Sequence, residues 1–170
     1  MKVLVTGTST GIGRGIAEKF LAEGHTVIGL DVAESTIAHE NYTHYIADVA
    51  CPEQLPAVEG VEILINNAGV QDSGRDIDVN LRGTIYCTEK YGIQPNIKSI
   101  VMTASVSAHN GAEFPEYCAS KGGVLAYTKN VALRVAKYGA TCNSISAGGV
   151  ITELNAHILE NPALWDQVMA

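Results

Sequence analysis

The chain has 170 residues, 46% of them hydrophobic, and a formal net charge of −7. This suits a single globular domain over 1–170 with a real core, and it leaves no basic stripe for nucleic acid or an anionic membrane. No stretch approaches the roughly 20 apolar residues needed to span a bilayer, and the opening MKVLVTG lacks the apolar run of a signal peptide.

In chain order, KVLVT from Lys2 reads as a first strand, and Ile12, Ile16 and Phe20 then recur at helical spacing up to a C-cap at Gly24. TVIGLD from Thr26 is a second strand. The stretch from Val32 to Asn41 is too short for a long crossover helix, as is that from Ala50 to Gly60, and each is expected to hold single turns or abbreviated helices. Between and after them, THYIAD from Thr43 and EILIN from Glu62 are the third and fourth strands. A helix containing Asn80 follows, then a fifth strand, SIVMTA from Ser99. Val124, Tyr127, Val131, Val135 and Tyr138 form a stripe on a helix that starts near Pro115 and ends at Gly139, before a sixth strand, TCNSIS from Thr141. The strands show little strict alternation, the pattern of strands covered on both faces. The expected fold is α/β: a doubly wound, three-layer Rossmann fold with a mainly parallel sheet.

The first strand runs into TGTSTGIG, with Gly7, Gly11 and Gly13 at a strand-to-helix turn. Glycines there let the backbone approach a pyrophosphate, and the helix N-terminus supplies N–H donors and a partial positive charge. The plainer reading is a tight βα connection. Asp31 closes the second strand, where a carboxylate accepts both hydroxyls of an adenosine ribose. A 2′-phosphate there meets like charge, at a cost of about 1 to 4 kcal/mol. NAD is thus expected over NADP, with capping of the next turn as Asp31's alternative role. Asp48 suits either the adenine amino group or an N-cap for the segment from Pro52.

The four cysteines form no C-x-x-C pair and read as reduced thiols, which points to the cytoplasm. The five histidines lack metal-ligand spacing, so no metal is expected.

These motifs resemble the short-chain dehydrogenase/reductase family. Its T-G-x-x-x-G-x-G matches Thr6 to Gly13, its N-N-A-G matches Asn66 to Gly69, and its Y-x-x-x-K matches Tyr117 to Lys121. The resemblance implies a catalytic set of Ser105, Tyr117, Lys121 and Asn80, and a cofactor site of Gly7, Thr10, Gly11, Ile12, Gly13, Asp31, Asp48, Val49, Asn67, Ala68, Gly69, Tyr117, Lys121, Val150 and Thr152. Gly148 and Gly149 match the same loop as Val150, with Ala147 where the family usually has proline. Tyr86 and Lys90 share the Y-x-x-x-K spacing, and Ser73 precedes them. Only Ser105 follows a strand to the carboxyl rim where open α/β sheets bind ligands, and this selects Tyr117. Tyr117 and Lys121 lie one turn apart on one helical face. Bringing a phenol from about 10 to near 7 takes about 4 kcal/mol of preference for phenolate, which an adjacent ammonium and a cationic nicotinamide supply. Asn80 is assigned by resemblance to positioning water on the lysine; a local backbone bond is its alternative. His109 and Cys118 read as loop and packing residues.

The reaction implied is hydride transfer between NAD(H) and a secondary alcohol/ketone pair. An NAD-binding sensor or scaffold without turnover is the alternative. A homodimer or homotetramer is implied through the helices of Asn80 and Tyr117, with Gly122, Gly123 and Ala126 permitting close approach. Family members continue past the helix around Trp165 into a lid and a last strand, so the chain is expected to be a truncated form of a longer protein. The short connection from Gly69 to Asn80 is expected to trim one wall of the pocket.

Overall fold

The structure is a computed structural model that describes residues 1–112, 114–152 and 161. Six strands form one sheet: β1 (Lys2–Thr6), β2 (Thr26–Asp31), β3 (Tyr42–Ile46), β4 (Ile63–Asn66), β5 (Ser99–Ser105) and β6 (Thr141–Ala147). All neighbours run parallel, in the order β3-β2-β1-β4-β5-β6. The order reverses at β1 and β4, which opens a crevice at the strands' carboxyl ends.

Helix α1 (Gly11–Ala22) covers one face of the sheet. The other is covered by α2, a continuous helical run over residues 77–92, and by α4 (Pro115–Val135); the short α3 (Ser107–Asn110) links β5 to α4. Pleating sends successive residues of β1 to opposite sides: Val3 and Val5 join Ala17 and Leu21 of α1, while Leu4 joins Leu64, Ile100, Met102 and Val124. The three-layer doubly wound architecture is as expected. Helix α2 is α-helical only at Thr84–Cys87, with π-helical turns at Ile77–Gly83 and Thr88–Gly92.

Two expectations change. The residues of α1 buried against the sheet are Gly13, Ala17 and Leu21, with Ile16 and Phe20 only partly buried beside them. Small residues let the helix lie close, so the large side chains flank the contact. Strand β3 is not covered on both faces: Tyr45 and Ile46 are exposed. Its neighbouring connections are the cause, since no helix forms between β2 and β3, and only the 3-10 turn Pro52–Gln54 forms between β3 and β4. The helix expected around Trp165 lies outside the described residues.

Candidate active site

The phosphate-type turn leaves β1 at Gly7, whose φ of 75° is left-handed, and enters α1 through Gly11, with φ 55°. A Cβ on Gly13 would stand 1.9 Å from the Gly7 carbonyl oxygen, so the helix meets the turn only without a side chain there. Thr10 is the N-cap residue of α1 and makes no side-chain cap bond. The turn is bolted to the loop after β4. Asn67 N–H and Ala68 N–H both donate to Thr6 Oγ1 at 2.9 Å, and the Asn67 side-chain amide donates to Thr6 O at 3.1 Å. Asn67 and Ala68 therefore brace the glycine turn, and Thr6, quoted only as the first residue of its motif, is the residue that receives them.

Beside the turn, Asp31 accepts from Ser9 N–H at 2.9 Å and from Ala33 N–H at 3.0 Å, one bond to each carboxylate oxygen. Asp48 is held by Arg75 at 2.7 Å and by Ala50 N–H at 2.9 Å. Partial burial opposes its charge, but the Arg75 hydrogen bond, the Ala50 bond and the Arg75 charge together keep its pKa below the usual carboxylate value. Cys51, not Asp48, is the N-cap of Pro52–Gln54. The Val49 side chain is in the core and packs on Gly83. Val150 and Thr152, with Gly11 and Ile12, line a shallow cleft of about 310 Å³ over the start of α1.

At the β5 end of the rim, Ser105 is the last residue of its strand and is buried. Its Oγ lies 3.2 Å from Ser107 Oγ and accepts from Ser107 N–H at 3.2 Å. Pro115 at the start of α4 pre-sets the helical backbone, and Tyr117 and Lys121 follow on its first turns. Lys121 is 4% exposed; its ammonium donates to Thr103 O of β5 at 2.8 Å and lies 5.8 Å from the Tyr117 ring centroid. Burial pushes its pKa down to about 8, against the opposing pull of the Asp76 charge. Asp76, itself buried, accepts from Asp72 N–H, Ser73 N–H and Ser73 Oγ at 2.9 to 3.0 Å, and so ties down the short connection before α2.

Asn80 sits in the first π-helical stretch, a geometry frequent at functional positions. Its Oδ1 accepts from Val70 N–H at 2.8 Å, and its Nδ2 donates to Val70 O at 2.9 Å and Ser120 Oγ at 3.0 Å. Ser120 in turn donates to Tyr117 O at 2.7 Å. The side-chain amide thus joins the loop after β4 to the Tyr117 turn, and the Asn80 main-chain carbonyl accepts from Thr84 Oγ1 at 2.7 Å. Ser120 was legible only as a serine inside the Y-x-x-x-K turn.

A short chain dehydrogenase family model matches residues 1–163. The chain belongs to this family. It is 31% identical to the 2-(R)-hydroxypropyl-CoM dehydrogenase of Xanthobacter autotrophicus, covering 98% of this chain and 81% of that one. A putative 2-deoxy-d-gluconate 3-dehydrogenase from Agrobacterium tumefaciens with bound NADP superposes at a TM-score of 0.88 (26% identity, 98% and 78% covered). The 3-oxoacyl-[acyl-carrier protein] reductase of Brucella melitensis in complex with NAD does so at 0.82 (27% identity, 98% and 79% covered). As a short-chain dehydrogenase, the protein is an oxidoreductase of a family that uses nicotinamide cofactors on small-molecule substrates. No described helix is long and apolar enough to cross a membrane.

In this short-chain dehydrogenase the second Y-x-x-x-K has another use: Lys90 donates to Leu55 O at 2.6 Å and Tyr86 packs on the core. His109 meets Ser146 Oγ at 2.9 Å, and the Cys118 thiol donates to Ala112 O. Gly123 departs from its expected role at a subunit contact. A Cβ there would lie 2.7 Å from Leu81 Cδ2, so Gly123 serves the close approach of α2 and α4 within the chain, whereas Gly122 has open space.

Proposed function

We propose that this chain interconverts a secondary alcohol and its ketone with NAD(H), using Ser105, Tyr117, Lys121 and Asn80. The observation that carries this reading is the buried Lys121 ammonium, aimed by Thr103 O at the Tyr117 ring within one helical turn. A lysine buried to this extent is costly unless its charge is used.

The residues fit a dinucleotide. The glycine turn brings main chain to the rim, α1 presents its N-terminus there, and each Asp31 oxygen has one acceptor site beyond its backbone bond for a ribose diol. Gly7, Thr10, Gly11, Ile12 and Gly13 would hold the pyrophosphate, and Asp31, Asp48 and Val49 the adenosine. Asn67, Ala68, Gly69, Tyr117 and Lys121 would hold the second ribose, and Val150 and Thr152 the carboxamide. When bound, the nicotinamide supplies hydride acceptance or donation. Tyr117, as phenolate, takes the alcohol proton during oxidation and returns it to the developing alkoxide in reduction. Ser105 donates a hydrogen bond to the same oxygen and orients it. Lys121 favours the phenolate by its charge, and Asn80 positions a water that reloads the lysine. No lysine or arginine lies within the glycine turn or immediately after Asp31 in the sequence, which supports NAD over NADP. Leu133, 81% exposed on α4, and the open side of Gly122 support association of copies through α2 and α4 as a homodimer or homotetramer.

The test is Tyr117→Phe against a panel of secondary alcohols and ketones with NAD(H) and NADP(H). Loss of at least about a hundredfold in kcat is expected, with a far smaller loss of NADH affinity from the missing ribose contact. Full turnover by the variant would sink the mechanism. NADH binding by the native chain without turnover of any panel member would return the sensor reading.

A further inference from the structure

Asp31 sits in a closed circuit of hydrogen bonds that the chemistry at Tyr117 does not require. The Tyr42 hydroxyl pairs with Thr8 Oγ1 at 2.8 Å and with His44 Nδ1 at 3.0 Å. His44 Nε2 lies 2.9 Å from Ala33 O. A carbonyl only accepts, so Nε2 carries its proton and donates, which leaves Nδ1 to accept from the Tyr42 hydroxyl and the Thr8 hydroxyl to donate to Tyr42. Ala33 N–H donates to Asp31 Oδ1, Ser9 N–H donates to Asp31 Oδ2, and the peptide bond between Thr8 and Ser9 closes the ring. Two struts cross it: Ser9 Oγ donates to Ala33 O at 3.3 Å, and Thr36 Oγ1 donates to Ser9 O at 2.7 Å. Room for the ring comes from Gly29 of β2, where a Cβ would stand 2.0 Å from the Tyr42 hydroxyl and 2.5 Å from Thr8 Oγ1. A glycine inside a strand marks such a close approach. Burial pushes the Tyr42 pKa up more than its hydrogen bonds to Thr8 and Ser35 pull it down, so it stays a hydroxyl and a donor.

We propose that Tyr42 and His44 are positioning residues for the adenosine ribose, which fix the Asp31 carboxylate by closing this ring and so set the preference for a free 2′,3′-diol over a 2′-phosphate. Tyr42 and His44 lie on β3, in the part of the sheet where no helix follows β2, and the ring does by hydrogen bonding what a packed helix would do by burial. A carboxylate free to rotate presents one oxygen to a diol and turns away from a phosphate. A clamped one accepts both hydroxyls and repels the phosphate at full strength. The proposal rests on the NAD reading above.

The experiment compares the native chain with Tyr42→Phe, His44→Ala and His44→Gln. Its readouts are NADH affinity by fluorescence titration, kcat and KM with NAD and with NADP, and thermal melting by circular dichroism. Tyr42→Phe and His44→Ala are expected to weaken NADH binding about fivefold, the scale of one lost hydrogen bond. The loss should sit in KM for NAD, with kcat within about twofold, and the preference for NAD over NADP should narrow by a similar factor. His44→Gln, whose amide nitrogen reaches the Nε2 position, should recover part of the loss. Equal losses with NAD and NADP, accompanied by a fall in kcat, would mean a scaffold effect and overturn the proposal, as would unchanged affinity in all variants. A native chain that binds no NADH removes the NAD reading and the ring's role together. NADH binding by the native chain without any response to the variants removes the ring alone.

Discussion

At the β5 side of the rim, Lys121 projects from the long helix α4 toward β5; at the β2–β3 side, Asp31 is held by a loop with no helix between the two strands. The first arrangement needs low dielectric, because a lysine affects a neighbouring phenol strongly only where water is displaced. It is accordingly built from Val124, Val131, Leu64 and Met102 in the larger core. The second has to hold a carboxylate still while leaving it in contact with water, and main-chain N–H groups, a phenol and an imidazole suffice. The chain is short where hydrogen bonds do the holding and long where burial is needed.

The most forceful break of this contrast is Lys121→Met. It should lower kcat/KM with the best substrate by about a thousandfold while NADH affinity changes far less, because the packing is kept and only the charge is lost. Steady-state kinetics beside NADH titration checks this; a matching loss of affinity would mean that Lys121 acts mainly as a cofactor anchor. At the other end, Asp31→Ala should lower kcat/KM for NAD about thirtyfold, by loss of charged hydrogen bonds to the ribose, and leave or raise that for NADP. An unchanged NAD to NADP ratio would contradict the placement of the adenosine there.

The smallest expected effect is on stability. Burial lowers the Lys121 pKa from 10.5 to about 8, so between about pH 8 and 10.5 the unfolded chain holds a proton that the folded chain has released. Stability carried by this group therefore rises with pH across that window, by an amount on the order of 1 to 3 kcal/mol, and the cost is fully present below pH 8. Urea midpoints of the native chain relative to Lys121→Met, taken from pH 7.5 to 10, should show that rise, and a flat difference would mean an ammonium better solvated than its burial implies.

The strands and the rim motifs were legible because they depend on local pattern: apolar runs, the glycine turn, and the helical spacing of Tyr117 and Lys121. The lack of long crossover helices was legible too, since the stretches from Val32 and from Ala50 hold too few residues, though not that no helix at all would form between β2 and β3. Which face of α1 is buried was not, because Ala17 and Gly13 make closer contacts than Ile12 and Phe20 and a hydrophobicity pattern gives them less weight. The exposure of β3 was hidden for the same kind of reason. THYIAD has the composition of a covered strand, and only the absence of neighbouring helices exposes it. Ser120, Tyr42 and His44 belong to hydrogen-bond circuits that join distant segments, which spacing along one segment cannot reveal. Gly29 was the one local sign, an interruption in the second strand.

The hydrogen-bonded loop over β2 and β3 has a thermal consequence. Opening apolar surface carries a large positive heat-capacity change, whereas exposing polar groups carries a small negative one. Loosening of the segment around Asp31 and Ala33 should therefore depend only weakly on temperature, while the core beneath Lys121 weakens on cooling as well as on heating. Hydrogen exchange at β3 and β5, followed from 5 to 35 °C, would record two differently curved profiles within one sheet.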